Sequence, residues 1–139
     1  MEEQASLEDA KQQMAFIYQL FQQRLQELSQ QASLLERAFF EVESTREGLK
    51  SINEISKGEV LIPMGNGCYI RGRGLPEKTA KKVLVGVGSN ILLEKTPREA
   101  DLILRKRGDE LQNALDSTAQ EMQKVSHQMN TIVRNLQKG

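Results

Sequence analysis

Val83-Leu84-Val85-Gly86-Val87-Gly88-Ser89-Asn90-Ile91-Leu92-Leu93-Glu94-Lys95-Thr96-Pro97-Arg98-Glu99 carries three structural instructions in one run. Val83, Val85 and Val87 alternate with Leu84 and Gly86, the period-two pattern of a strand. Gly88-Ser89-Asn90 tolerates positive φ and predicts a tight turn, so Ile91-Leu92-Leu93-Glu94 returns as a second strand. Thr96 then fits a helix N-cap, Pro97 the first helical position and Glu99 the reciprocal position of a capping box. The run predicts a β-hairpin that gives way directly to a helix.

Upstream the same reading applies once more. Val60-Leu61-Ile62 is a short apolar strand, Met64-Gly65-Asn66-Gly67 a turn, and Cys68-Tyr69-Ile70-Arg71 the returning partner. Leu75-Pro76-Glu77-Lys78-Thr79 reads as a loop. Residues 59–95 therefore form two consecutive β-hairpins.

On both sides the period changes to seven. Leu7, Met14, Phe21, Leu28, Leu35, Val42 and Leu49 recur in one phase, and Tyr18, Leu25, Ala32 and Phe39 fill the second seam position. In the last arm Leu104, Leu111, Val125 and Ile132 share one phase, interrupted by Thr118; Leu115, Met122, Met129 and Leu136 share the other. The first helix is expected over 6–56, where Gly48 is the only glycine and proline is absent, with a stop at Lys57-Gly58. Such a helix is roughly 75 Å long. The second is expected over 97–137, with Gly108 on its seam, where it lets the other helix approach closely. Two apolar seams on one chain must pair. The expected fold is α+β, a single domain over 1–139: a long antiparallel coiled-coil hairpin with two central β-hairpins.

Short strands apolar on both faces are unstable alone, and their open edges invite another chain. Val60, Leu61, Ile62, Tyr69 and Ile70 of the first hairpin are expected at a subunit interface. So are Val83, Val85, Val87, Ile91 and Leu93 of the second. A monomer is the least expected state.

If Ile55 stands opposite Arg98, paired residue numbers sum to about 153, given equal rise in the two helices. That register places Met14, Tyr18 and Phe21 alongside Met129, Ile132 and Leu136 and leaves the first turns overhanging. Phe16, Ile17 and Val133 fall outside the seam and are expected to be partly exposed. Scattered surface apolar residues are ordinary, and a partner helix could also cover these. Their grouping with flexible methionines favours a surface that adapts to varied partners, such as unfolded polypeptide.

Lys plus Arg equals Asp plus Glu at 19 each. The zero net charge removes the general electrostatic case for nucleic acid or an anionic membrane as partner. Absent Trp and 4% aromatics suit solvated helices better than a large globular core. The start Met-Glu-Glu-Gln has no basic and apolar run, which points to a cytoplasmic protein. Cys68, the single cysteine, is expected as a small buried strand residue, and His127, the single histidine, as a solvated one. They offer no zinc spacing, and no nucleophile–base grouping is present. Gly65-Asn66-Gly67 and Gly86-Val87-Gly88 lack the rest of a phosphate loop and read as turns. No catalytic site, metal or cofactor is expected.

Val60-Leu61-Ile62-Pro63-Met64-Gly65-Asn66-Gly67-Cys68-Tyr69-Ile70 is similar to the first hairpin of the prefoldin α-class subunits, "L-V-P-L-x-x-x-x-Y/F-V". Residues 83–96 resemble that family's second hairpin, "V-x-V-G-x-G-Y-x-V-E-K". The resemblance implies a heterohexamer, with a second α-class copy and four β-class subunits, whose hairpins join in a double β-barrel. It also implies ATP-independent capture of non-native proteins at the coiled-coil tips and transfer to a group II chaperonin. The family supplies no active-site residues. The tip set, Met14, Phe16, Ile17, Tyr18 and Phe21 with Met129, Ile132, Val133 and Leu136, comes from the register. The competing reading is a structural coiled coil that tethers one folded partner; an enzyme is the poorest fit.

Overall fold

Nothing between Glu2 and Lys50 interrupts a helix, and the computed structural model carries α1 through all of Glu2–Lys50. The structure describes residues 2–51, 59–73 and 82–138. After α1 come β1 (Glu59–Gly65), β2 (Cys68–Arg73), β3 (Val83–Gly88), β4 (Ile91–Lys95) and α2 (Pro97–Lys138). The fold is α+β, two long helices with two antiparallel hairpins between them in the chain. α1 closes with Ser51 N–H donating to the Gly48 carbonyl at 3.1 Å. The expected helical end near Ser56, the Lys57-Gly58 stop and the Leu75–Thr79 loop lie outside the described residues.

The described residues group into two compact units. One joins α1 up to Ala38 with α2 from Leu111; the other runs from Phe39 to Glu110. In the first, the helices run antiparallel, and Arg24 Nη2 donates to Glu121 Oε1 across them at 2.6 Å. Leu28, 1% exposed, is the most buried large side chain, and Val125 is buried with it. Thr118 breaks the apolar phase yet is also buried. Its hydroxyl donates to the Ala114 carbonyl at 2.8 Å, so its own helix satisfies it and the seam stays closed. From Glu2 to Ala10 every residue is exposed; Leu7, although in the seam phase, is 60% exposed.

In the second unit, α2 starts as the sequence requires. Glu99 N–H donates to Thr96 Oγ1 at 3.1 Å, and Thr96 N–H faces Glu99 Oε1 at 3.4 Å, the two reciprocal bonds of a capping box. Ala100 N–H donates to the Thr96 carbonyl, the first helical bond. Ala100 and Leu104 are buried, and Arg46 Nε donates to Asp101 Oδ1 at 2.8 Å. Gly108 is buried on the seam, but a Cβ there would meet Val42, Glu43 and Phe39 at 3.6–3.8 Å, ordinary contact distances. The glycine permits the approach of α1 here, but the approach does not require it.

Two cross-helix ion pairs among the described residues correct the register as well. Their residue numbers sum to about 145 at Arg24–Glu121 and about 147 at Arg46–Asp101, not about 153. The shift is about one heptad, which keeps every seam residue on the seam. Apolar spacing cannot choose between two such alignments; the charges can.

Each hairpin is its own two-stranded sheet. Both turn by the same device. Asn66 and Gly67 in the first, and Ser89 and Asn90 in the second, all have positive φ, the mirror-type turn that matches strand twist. A glycine at φ near +100°, Gly65 or Gly88, precedes each turn where the register slips by one residue. Cys68 opens β2 beside such a turn and is exposed, not buried as expected, because a two-stranded sheet covers little of its own surface.

Candidate functional site

The first unit gathers all nine expected tip residues on the beginning of α1 and the end of α2. They divide by exposure. Met14, Tyr18 and Phe21 are half-buried, as are Met129, Ile132, Val133 and Leu136, and they form the seam and its flank. Phe16 and Ile17 stand outside it, 63% and 42% exposed. With the corrected register, Met14 stands level with Ile132 and Tyr18 with about Met129, so Leu136 lies opposite the exposed first turns of α1 instead of about Ile17.

Leu20 belongs to this surface although the heptad pattern does not single it out. It is 48% exposed, four residues after Phe16 and three after Ile17, so the three side chains are neighbours on one helix face. The i, i+3, i+4 spacing was the available signal; heptad counting discards it because Leu20 lies off the seam. Phe16 and Ile17 also border a hollow lined by Asp9, Gln12 and Gln13. A contiguous apolar patch of this kind on water-facing helix marks an interaction surface more strongly than single exposed residues do.

The second unit holds the hairpins. Leu61, Ile62, Tyr69 and Ile70 are exposed, and Val60 is half-buried because its Cγ2 lies over Gly72, its cross-strand partner. On β3, Val87 is exposed and Val83 half-buried. Val85 is only 8% exposed, so its own chain covers it; it cannot offer an interface the surface expected of it. Next to it, Arg107 of α2 donates to the Gly86 carbonyl and ties β3 to the helix. Leu84 and Leu92, omitted from the expected set, are exposed beside Ile91 and Leu93. These strands present apolar side chains to water along two sheets with open edges, a surface that another chain would cover.

Electrostatics is sparse. Asp101 is held below the ordinary carboxylate range, chiefly by its hydrogen bond from Arg46, against the opposing effect of partial burial. The charges of Arg46, Arg105 and Lys50 act in the same direction as the bond. Among the described residues no group of three or more His, Cys, Asp or Glu is placed to hold a metal ion. Among them too, no helix is long and apolar enough to cross a membrane. What the arrangement offers is surface: one apolar patch on paired helices and one on paired strands.

A family model described as prefoldin subunit matches residues 21–139, most of both arms and all of the strand segment. The chain belongs to the prefoldin subunit family. Prefoldins are chaperone subunits that assemble with other prefoldin subunits into oligomeric complexes. Among curated proteins the chain is 33% identical to prefoldin subunit alpha of Thermofilum pendens, over 84% of this chain and 88% of the relative. It is 31% identical to prefoldin subunit alpha of Pyrococcus horikoshii, over 89% of this chain and 83% of the relative. Among solved structures, a chain of filamentous PFD from Methanocaldococcus jannaschii, determined by cryo-electron microscopy, superposes with a TM-score of 0.72. That match covers 84% of this chain and 95% of the other at 19% identity, and it concerns the prefoldin fold alone. The α-class resemblance read from the two hairpins is thereby borne out.

Proposed function

We propose that this chain is the α-class subunit of a cytoplasmic, ATP-independent cochaperone that captures non-native polypeptides. The observation that carries the reading is the exposed trio Phe16, Ile17 and Leu20, on a helix whose seam residues from Met14 onward are buried or half-buried. Unfolded chains expose apolar side chains in no fixed order, and a small, flexible-edged apolar patch binds them without demanding a sequence. The hairpin surface serves assembly: β-class subunits and a second α-class copy cover Leu61, Tyr69, Leu84 and Leu92 in a heterohexamer. Captured clients pass to a group II chaperonin, the handover that the family resemblance implies.

The test is suppression of aggregation of a chemically denatured client by the assembled complex, without nucleotide. Replacing Phe16, Ile17 and Leu20 together by serine is expected to abolish suppression while the mass of the complex stays unchanged. Full protection by that variant overturns the site. Saturable binding to one folded protein, with no affinity for denatured clients, would establish the tethering reading instead.

A further inference from the structure

In the same unit as the apolar trio, the two helices flank an open groove of about 1110 Å³. Six carboxamides line it: Gln19, Gln22, Gln23 and Gln26 from α1, Gln123 and Asn130 from α2. Leu25, Met122 and Met129 supply its apolar part, and Ser29, Ser126 and His127 complete it. No Lys, Arg, Asp or Glu lines it, in a chain where 27% of residues are charged. Among the described residues none of the six carboxamides hydrogen-bonds to another protein group. A neutral groove repels no ligand but gains nothing from phosphate or an ion, which need charge or fixed donors.

We infer that this groove binds the main chain of an extended non-native polypeptide, its carboxamides hydrogen-bonding to peptide groups. Each carboxamide carries one carbonyl and one NH₂, the same acceptor and donor that a peptide unit presents. From Gln19 to Ser29 the α1 wall is roughly 15 Å long at the helical rise. An extended chain rises about 3.3 Å per residue, so the wall spans about four or five residues. Every polypeptide offers that backbone whatever its side chains, so the groove adds hold without adding sequence preference. Freely rotating glutamines suit a ligand with no fixed register, and the methionines adapt to whatever side chains arrive. The inference rests on the client-capture reading and names what part of the client is read.

The experiment uses the full-length chain in its assembly and a fluorescent peptide of about twelve alternating leucine and serine residues. A second peptide is identical but N-methylated at its four central amides. Wild-type protein is expected to bind the unmodified peptide roughly fivefold or more tighter, as loss of a few backbone bonds dictates. Gln19→Met, Gln22→Met, Gln26→Met and Gln123→Met combined keep side-chain bulk, and are expected to remove that preference. Equal affinity of wild-type protein for both peptides, or affinity for neither, overturns the groove. If aggregation suppression then persists, the apolar trio stands and only the groove falls; if suppression is also absent, the client-capture reading falls with it. A changed complex mass in the methionine variant assigns the groove to a subunit contact, and also overturns the proposal.

Discussion

Arg46 and Asp101 lock α1 to α2: Nε lies 2.8 Å from Oδ1, with the Arg46 side chain only 19% exposed. The bond depresses the Asp101 pKa from 3.8. A carboxylate with a folded-state pKa below its unfolded value stabilises the fold above the unfolded pKa. That contribution is lost as pH falls through the lower folded value. Thermal stability of the complex should therefore decline on acidification below about pH 4. Asp101→Asn should lower the midpoint at neutral pH and flatten the acid limb. Melting curves of the two proteins between pH 7 and pH 2.5 decide it; parallel curves would deny the pair this role.

Gly108→Ala should stabilise. The new methyl meets neighbours at 3.6–3.8 Å, and alanine in a helix interior is favoured over glycine by about 0.5–1 kcal/mol. Urea unfolding of wild-type and variant complexes at equal protein concentration measures this. A destabilised variant would mean that the two helices stand closer than the structure places them.

Leu28→Ala should cost about 2–5 kcal/mol, the range for truncating a buried leucine. Leu28 stands level with Thr118 by the ion-pair register, so the cavity opens beside a polar seam residue. Thr118→Val should move stability the other way by about 1 kcal/mol or less, because the lost hydroxyl bonds only its own helix. Circular dichroism melts of the assembled protein separate the two signs.

Leu84→Ser with Leu92→Ser should lower the mass of the assembly while leaving the helical signal nearly intact. Both side chains are exposed in the chain itself, so their loss leaves no cavity within it. Light scattering and far-ultraviolet dichroism on one sample check both halves. Unchanged mass would move the subunit contact off the second hairpin.

Much of this fold was legible because local chemistry and long-range pattern agree. Thr96, Pro97 and Glu99 fixed the start of α2, and the bonds between Thr96 and Glu99 are those their types dictate. Asn66, Gly67, Ser89 and Asn90 announced both turns through their tolerance of positive φ. The register was not legible. Heptads repeat, so a slip of one repeat leaves the apolar pairing intact, and Arg24, Arg46 and their partners distinguish the alternatives. Sequence alone also could not say that Val85 is covered while Leu84 faces water, since alternation gives two faces without naming the inner one. Leu20 is illegible for a related reason: the heptad period marks seam residues and says nothing of an apolar side chain on the outer face.

The two separate hairpins have a consequence for the cell's economy of this chain. Strand edges without neighbours are templates for fibrous stacking, and greasy strands beside them make such stacking sticky. A copy made in surplus over its companions has nowhere to hide either feature. Synthesis matched to that of its companions would then keep it harmless, and a copy left without them would expose to proteases the same surface that would have joined it to the others.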